Sequence, residues 1–379
     1  MEEVILEETL TRQELWYWFC NIDGIGHKKM SELLHYFNDV EWIYGAGSEE
    51  LSLVKALTQR DIMNIIASRS LEQIKREYGE VARRGYEFIS IEEERYPKKL
   101  RTLYDPPYGI YVNGMLPKEG VLSIAMVGAR NCSEYGKEVA KYFGYHLAEA
   151  GAQVISGMAR GIDGYSHEGA LRANGYSLAV LGCGVDYCYP RENMDLYMKL
   201  EKQGGIMSEL PLGTVPRAGN FPRRNRLISG MCDGVLVVEA KLQSGSLITV
   251  DQALEQGRDV FVIPGRITDV LSGGTNNLIK MGAEIVSSPQ EILDYYADKY
   301  EEKRIEVKQE MLCRDPLLEE ELTAEQRTVY YQLGLDPKHI DQIVEETKIP
   351  IPKLLSILVI MEVKGVISQP IKNYYTRSL

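Results

Sequence analysis

The chain lacks any apolar run long enough to cross a bilayer. Its longest largely apolar stretch, LLSILVIM near residue 357, falls well short of the roughly 18 residues a spanning helix requires. The opening, MEEVILEETLTRQELWYWF, is acidic and has neither the basic segment nor the apolar core of a signal peptide. These absences predict a cytoplasmic protein without membrane insertion. Cysteine is sparse, at six residues, and only Cys183 and Cys188 are near each other. No pair has the two-residue gap of a zinc knuckle, and the five histidines do not cluster with them, so neither a metal nor a disulfide is expected. Free buried thiols are the expectation. No GxGxxG fingerprint, no Gly-Lys-Ser phosphate loop and no Ser/His/Asp set occurs, which points to a binding protein without cofactor, not to an enzyme. Positive charge is also in deficit, with a net charge of -12. A nucleic-acid partner is therefore disfavoured unless cations gather locally.

At 379 residues, with 44% apolar and 26% charged, the chain has the composition of a folded protein of two or three domains. Residues 1–75 read as a small helical domain: TRQELWYWFCNI, HKKMSELLHYF and LTQRDIMNIIASR carry apolar residues at helical spacing. Between the first two, DGIGH has the form of a helix-hairpin-helix turn with Lys28 and Lys29 beside it. A glycine-capped connection within a helical bundle explains the same residues. From residue 76 to 296, nine short apolar runs, from YEFISI to AEIVS, alternate with amphipathic helical segments. Such alternation predicts an α/β domain, an extended Rossmann-like sheet, mainly parallel and covered by helices on both faces. Residues 297–321 read as a charged linker, and 322–379, with three helical stretches and then two short strands, as a winged helix.

In an open parallel sheet ligands bind beyond the carboxyl ends of the strands, where helix N-termini expose N–H groups. Four segments leave strands at that edge: MVGARNCSEYG with Gly128 and Arg130; SGMARGIDGYSHEGA with Ser156, Gly157 and Arg160; FPRRNRLISG with Phe221, Arg223, Arg224 and Arg226; and EAKLQSGSLITVDQA with Gly245, Ser246 and Thr249. Together they hold small residues, hydroxyls and fixed cations, which is the chemistry of phosphate binding. No acidic residue occurs from Leu210 to Cys232, while Arg217, Arg223, Arg224 and Arg226 fall inside that stretch. An acidic protein can thus keep one positive functional edge, with Phe221 offered as a base-stacking face. Structural readings stand beside each of these. Gly128 and Gly157 serve close strand-to-helix crossings, and Ser246 and Thr249 serve as helix caps. Asp163 and His167 are a capping acid and a surface histidine, and Glu239 anchors Arg223 or Arg226 in a buried ion pair.

The motifs VGARNCSEYG, SGMARGIDGYSHEGAL, AVLGCGVDYCYPREN, SELPLGTVPRAGNFPRRNRLISG, VVEAKLQSGSLITVDQALEQGRDVFVIPG and GGTNNLIKMGA resemble, in order and spacing, the DNA-processing protein A (DprA/Smf) family over roughly residues 80–296. The flanks are similar too, to a sterile-alpha-motif-like or helix-hairpin-helix domain before and a winged helix after. The resemblance implies a single-stranded DNA-binding protein that works as a homodimer through its Rossmann-like domain, protects incoming strands during natural transformation, and helps load a RecA-type recombinase. By motif it implies DNA contacts for Arg130, for Arg223, Arg224 and Arg226, and for Gly245, Ser246 and Thr249. Ala129 stands where the family usually has Thr or Ser, which removes one hydroxyl from that loop. The alternative class is a nucleotide-hydrolysing Rossmann enzyme of the lysine-decarboxylase-like (LOG) kind, but QSGSLITVDQA offers no glutamate in the place that class requires. A pure protein-interaction scaffold is a third reading.

The third helix of the winged domain, IPKLLSILVIMEVKG, is dominated by Leu, Ile, Val and Met, whereas major-groove reading needs outward Arg, Lys, Asn or Gln. This domain is predicted to be mainly a protein-contact module. The competing expectation is an ordinary DNA-binding winged helix using Lys338, Lys353, Lys364 and Lys372 on phosphates.

Overall fold

The computed structural model describes residues 9–300 and 322–377. They form two compact units, one of residues through 119 with 178–231, the other of 120–177 with residues from 232 on. This division cuts across the expected boundary at 75/76, because the chain leaves the first unit after residue 119 and returns at 178.

The first unit begins with six helices: α1 (Arg12–Cys20), α2 (His27–Phe37), α3 (Val40–Gly45), α4 (Ser48–Ser52), α5 (Gln59–Ala67) and α6 (Leu71–Arg83). Thr11 with Glu14 and Thr58 with Asp61 form capping boxes, each satisfying backbone donors that a helix start leaves open. Trp16, Trp18 and Phe19 are buried on α1. Lys29, beside the DGIGH turn, pairs with Asp61 at 2.6 Å. Lys28 is exposed.

The chain then alternates. It runs β1 (Glu87–Ser90), α7 (Lys98–Arg101), β2 (Gly109–Gly114), β3 (Ser123–Val127), α8 (Glu134–Glu149), β4 (Gln153–Ser156), α9 (Ile162–Arg172) and β5 (Ser177–Val180). It continues through α10 (Met194–Gln203), β6 (Gly205–Ser208), α11 (Asn220–Gly230), β7 (Gly234–Val237), α12 (Gly245–Glu255), β8 (Asp259–Val262), α13 (Gly273–Lys280), β9 (Glu284–Ile285) and α14 (Pro289–Tyr295). Every strand expected from the apolar runs is present. In the first unit the order is β1-β2-β6-β5, with β5 and β6 parallel but β1–β2 and β2–β6 antiparallel. The connection between β1 and β2 holds the one-turn α7, and β2 returns in the opposite direction. In the second unit the order is β4-β3-β7-β8-β9, parallel throughout. These strands are apolar end to end because both faces are buried: Ile124, Met126, Val154, Leu236 and Phe261 pack with Phe143 and Leu147 of α8 and Ile292 of α14, and Ala125, Val127, Val235, Val237 and Val262 on the other face are buried as well.

FPRRNRLISG, one of the four segments leaving the strands, lies in helix α11. Of the expected linker, residues 301–321 lie outside the described residues. Beyond them α15 (Ala324–Gln332), β10 (Lys338–His339), α16 (Ile340–Thr347), α17 (Ile351–Val363), β11 (Ile367–Ile371) and β12 (Tyr374–Arg377) form the winged helix, with strand order β10-β12-β11. Leu354, Ile357, Leu358 and Met361 turn inward on α17, leaving Ile351, Leu355, Val359, Ile360 and Val363 exposed. Lys338 pairs with Glu346 at 2.6 Å and Lys353 with Glu325. No described helix is long and apolar enough to cross a membrane.

Candidate functional site

In the second unit β4, β3 and β7 are parallel neighbours, so the loops leaving them emerge at one sheet edge. Backbone hydrogen bonds tie these loops together: Ala129 N donates to Glu239 O at 2.8 Å, and Ile162 N to Ala129 O at 3.2 Å. Gly128 is needed for that approach, since a Cβ there would lie 2.7 Å from Ile162 Cγ1 and 2.8 Å from Glu239 O. Arg130 and Arg160 are exposed on the first two loops.

Several neighbours of these arginines serve the fold. Ser156 is fully buried, and its hydroxyl donates to Met126 O at 2.6 Å, across to β3. The buried Gly157 amide donates to Asp163 Oδ2 at 3.2 Å, so this carboxylate braces the loop. His167, expected at the surface, is buried and bonds Ser177 Oγ at 2.7 Å, while that hydroxyl donates to Val154 O. It is a core histidine joining α9 to the sheet.

Glu239 does not pair with Arg223 or Arg226. Its buried carboxylate accepts from Ser133 N at 2.9 Å and from the Ser133 hydroxyl at 2.5 Å, while Ser133 Oγ caps Gly136 N. The N-terminus of α8, a ready anion site in a sheet of this kind, is thus occupied by the protein's own anion. At the third loop the cap of α12 is Ser244, not Ser246 or Thr249. Gly245 is exposed, Ser246 half-buried with its hydroxyl 2.7 Å from that of Ser244, and Thr249 buried.

In the first unit, α11 starts beyond the carboxyl ends of β5 and β6. Helical geometry turns each residue by about 100°, so Arg223 and Arg226 lie about 60° apart on one side of α11 and Arg224 lies well away from both. Arg223 is exposed, whereas Arg224 and Arg226 keep only 5% and 7% of their surface. The Arg224 guanidinium donates to Val180 O at the end of β5 and lies 5.9 Å from the Phe221 ring centroid. Arg226 pairs with Asp105 at 3.0 Å and with Glu209. Two of the three arginines thus anchor α11. The acid-free stretch gave no warning, because Glu209 stands one residue before it and Asp105 comes from before β2.

Leu181, Glu209, Leu210, Asn220, Arg223 and Arg224 line a small depression here. Tyr189, which lies in AVLGCGVDYCYPREN but is not among the candidate site residues, sets its ring 5.4 Å from that of Phe221. Of the nearby thiols, burial pushes Cys183 up to about 11 and its Sγ contacts Tyr187 O. Among the described residues no cluster of His, Cys, Asp and Glu could hold a metal, and the described cysteines are free thiols.

Comparison with known proteins follows the same outline. The sequence profile of the family "DNA recombination-mediator protein A" matches residues 87–297, and that of the "DprA winged helix domain" matches 314–370. Protein Smf of Escherichia coli is 39% identical over 282 residues, which cover 74% of this chain and 74% of that protein. The X-ray structure of DNA processing protein A from Streptococcus pneumoniae superposes with a TM-score of 0.67 at 32% identity, covering 76% of this chain and 98% of that one. A Helicobacter pylori DNA processing protein A, described for its single-stranded DNA binding mode, superposes with a TM-score of 0.51 at 30% identity, covering 57% of this chain and 97% of that one.

Proposed function

The chain belongs to the DNA recombination-mediator protein A family, and from that premise we propose that it binds and protects single-stranded DNA without sequence preference. In this reading it acts as a homodimer through the Rossmann-like part and helps a RecA-type recombinase onto the strand during DNA uptake and recombination. The observation that carries the reading is the pair of exposed arginines, Arg130 and Arg160, on two hydrogen-bonded loops at the carboxyl edge of β3 and β4. Exposed guanidinium groups on a rigid edge suit phosphates, which need fixed cations and no base-specific partner. The first unit offers its own exposed arginines, Arg217 and Arg223, at and before the start of α11. The Helicobacter pylori relative's reported binding mode supports the choice of strand.

Fluorescence anisotropy with a single strand, a duplex and a mononucleotide across a salt series tests this. Single strands should bind far ahead of both others, and each phosphate-contacting arginine changed to alanine should lower the salt slope by about 0.7. Equal affinity for duplex and single strand, or release of free base from a nucleoside monophosphate, would overturn it. Recombinase loading is tested by whether catalytic amounts of the chain shorten the lag before filament growth on a coated strand, and dimerisation by sedimentation equilibrium.

A further inference from the structure

We infer that Tyr189 is the outer face of a two-ring platform on which an unpaired base of the DNA strand stacks. The inference rests on the single-strand reading above and adds a residue to it. Sequence reasoning gives the stacking role to Phe221, but the structure half-buries that ring. It packs on Gly182, where a Cβ would lie 2.9 Å from Phe221 Cδ1, and the Arg224 guanidinium lies 5.9 Å from its centroid. Phe221 is thereby fixed in place with part of its surface covered. Tyr189 lies against it, its ring centroid 5.4 Å away and its plane tilted by 30°, and keeps 41% of its own surface.

The loop that carries Tyr189 is held on both sides. Tyr187 N donates to Gly184 O at 3.0 Å, and Asn193 N to Pro190 O at 3.1 Å. Pro190 is buried, so the ring projects from an anchored segment. Exposed cations adjoin it in sequence and in the partner helix: Arg191 two residues on, and Arg223 two residues beyond Phe221. An exposed ring backed by a fixed one, with exposed arginines two residues along each of the two segments, matches what a nucleotide presents: a flat aromatic face beside a phosphate. Stacking of this kind is tolerant of sequence, because every base has a π-face.

The test uses the full chain with Tyr189→Ala, Tyr189→Phe and Tyr189→Leu, against two labelled probes: an oligothymidylate and a strand of equal length made of abasic sites. Tyr189→Ala should lose about 5- to 100-fold in affinity for the oligothymidylate. Its salt slope should not change, its affinity for the abasic strand should match wild type, and Tyr189→Phe should bind both as wild type does. Should the alanine variant fail to fold, Tyr189→Leu keeps the bulk without the ring and should show the same base-dependent loss. Unchanged oligothymidylate binding in both non-aromatic variants overturns the inference. So does an equal loss on both strands, which would place the effect on the backbone path. Failure of wild type to bind oligothymidylate at all would instead sink the single-strand reading itself.

Discussion

Replacing Arg226 with alanine separates the two roles that arginines play on α11. Arg226 keeps 9% of its side-chain surface, and its partners Glu209 and Asp105 keep 16% and 43%. Removing one member of a buried charge pair costs about 3–5 kcal/mol, because the charge left behind is poorly solvated. Asp105, nearly half exposed, regains water and contributes little; Glu209 cannot, which sets the loss near the lower end, at about 3 kcal/mol. The exposed Arg223 changed to alanine should alter stability by no more than about 0.5 kcal/mol. The assays are urea unfolding of both variants and, in parallel, the salt dependence of single-strand binding. Arg223→Ala should lower the slope by about 0.7 if it meets one phosphate, whereas Arg226→Ala should leave the slope as in wild type while lowering the urea midpoint. Arg226→Met combined with Glu209→Gln should recover most of the lost stability, since no unpaired buried charge remains. An Arg226→Ala protein with wild-type stability and a reduced slope would refute the reasoning and make Arg226 a phosphate ligand.

Gly136→Ala should destabilise the protein by about 1–3 kcal/mol despite the better helix propensity of alanine. The new Cβ would lie 2.3 Å from Glu239 Oε2, a carboxylate buried at the start of α8, and thermal unfolding measures the loss. Acid should weaken the N-terminal helices in a defined window. Burial tends to raise Asp61, but the hydrogen bonds from Lys29 and Thr58 outweigh it and hold the group at about 2, below its ordinary 3.8. The stabilisation is therefore present above about pH 4 and lost as pH falls toward 2, amounting to roughly 2 kcal/mol. The three tryptophans, Trp16, Trp18 and Trp42, all lie in these helices, so indole emission during urea unfolding reads the change, which should shrink in Lys29→Ala. Burial likewise pushes Cys132 and Cys183 up to about 11. Their alkylation should be slow at pH 8 and rise about tenfold per pH unit toward 11, and rapid labelling at neutral pH would contradict it.

The strands were legible because a sheet covered on both faces asks for uninterrupted apolar residues, as in SIAMV of β3 and GVLV of β7. Strand direction was less so: nothing in GIYVNG shows that β2 runs against its neighbours, since direction depends on how the connection travels. Gly128 sits at a point of close approach, as its structural reading expects, but composition could not tell whether the space it frees serves a ligand or the fold. Ser156, Gly157 and Thr249 face inward for the same reason. A small polar residue at a strand end can satisfy a neighbouring backbone group as readily as a phosphate, and only coordinates distinguish them.

Arginine density misled in a more instructive way. Three guanidinium groups in four positions look like one positive surface when the segment is read as an extended loop. In the helix Arg223 and Arg226 lie on one side and Arg224 on another, and neighbours decide their roles: Arg223 stays exposed, while Arg224 and Arg226 hold α11 to the end of β5, to Glu209 and to Asp105. The anchoring arginines also set where the exposed one stands, and Arg224 braces Phe221, on which Tyr189 rests. A chain with a net charge of -12 therefore does not need a broad basic surface to hold a strand. In the proposed reading, a few exposed guanidinium groups on rigid mounts would meet phosphates and the Tyr189 ring a base, while the rest of the acidic surface would limit how much non-specific duplex adheres.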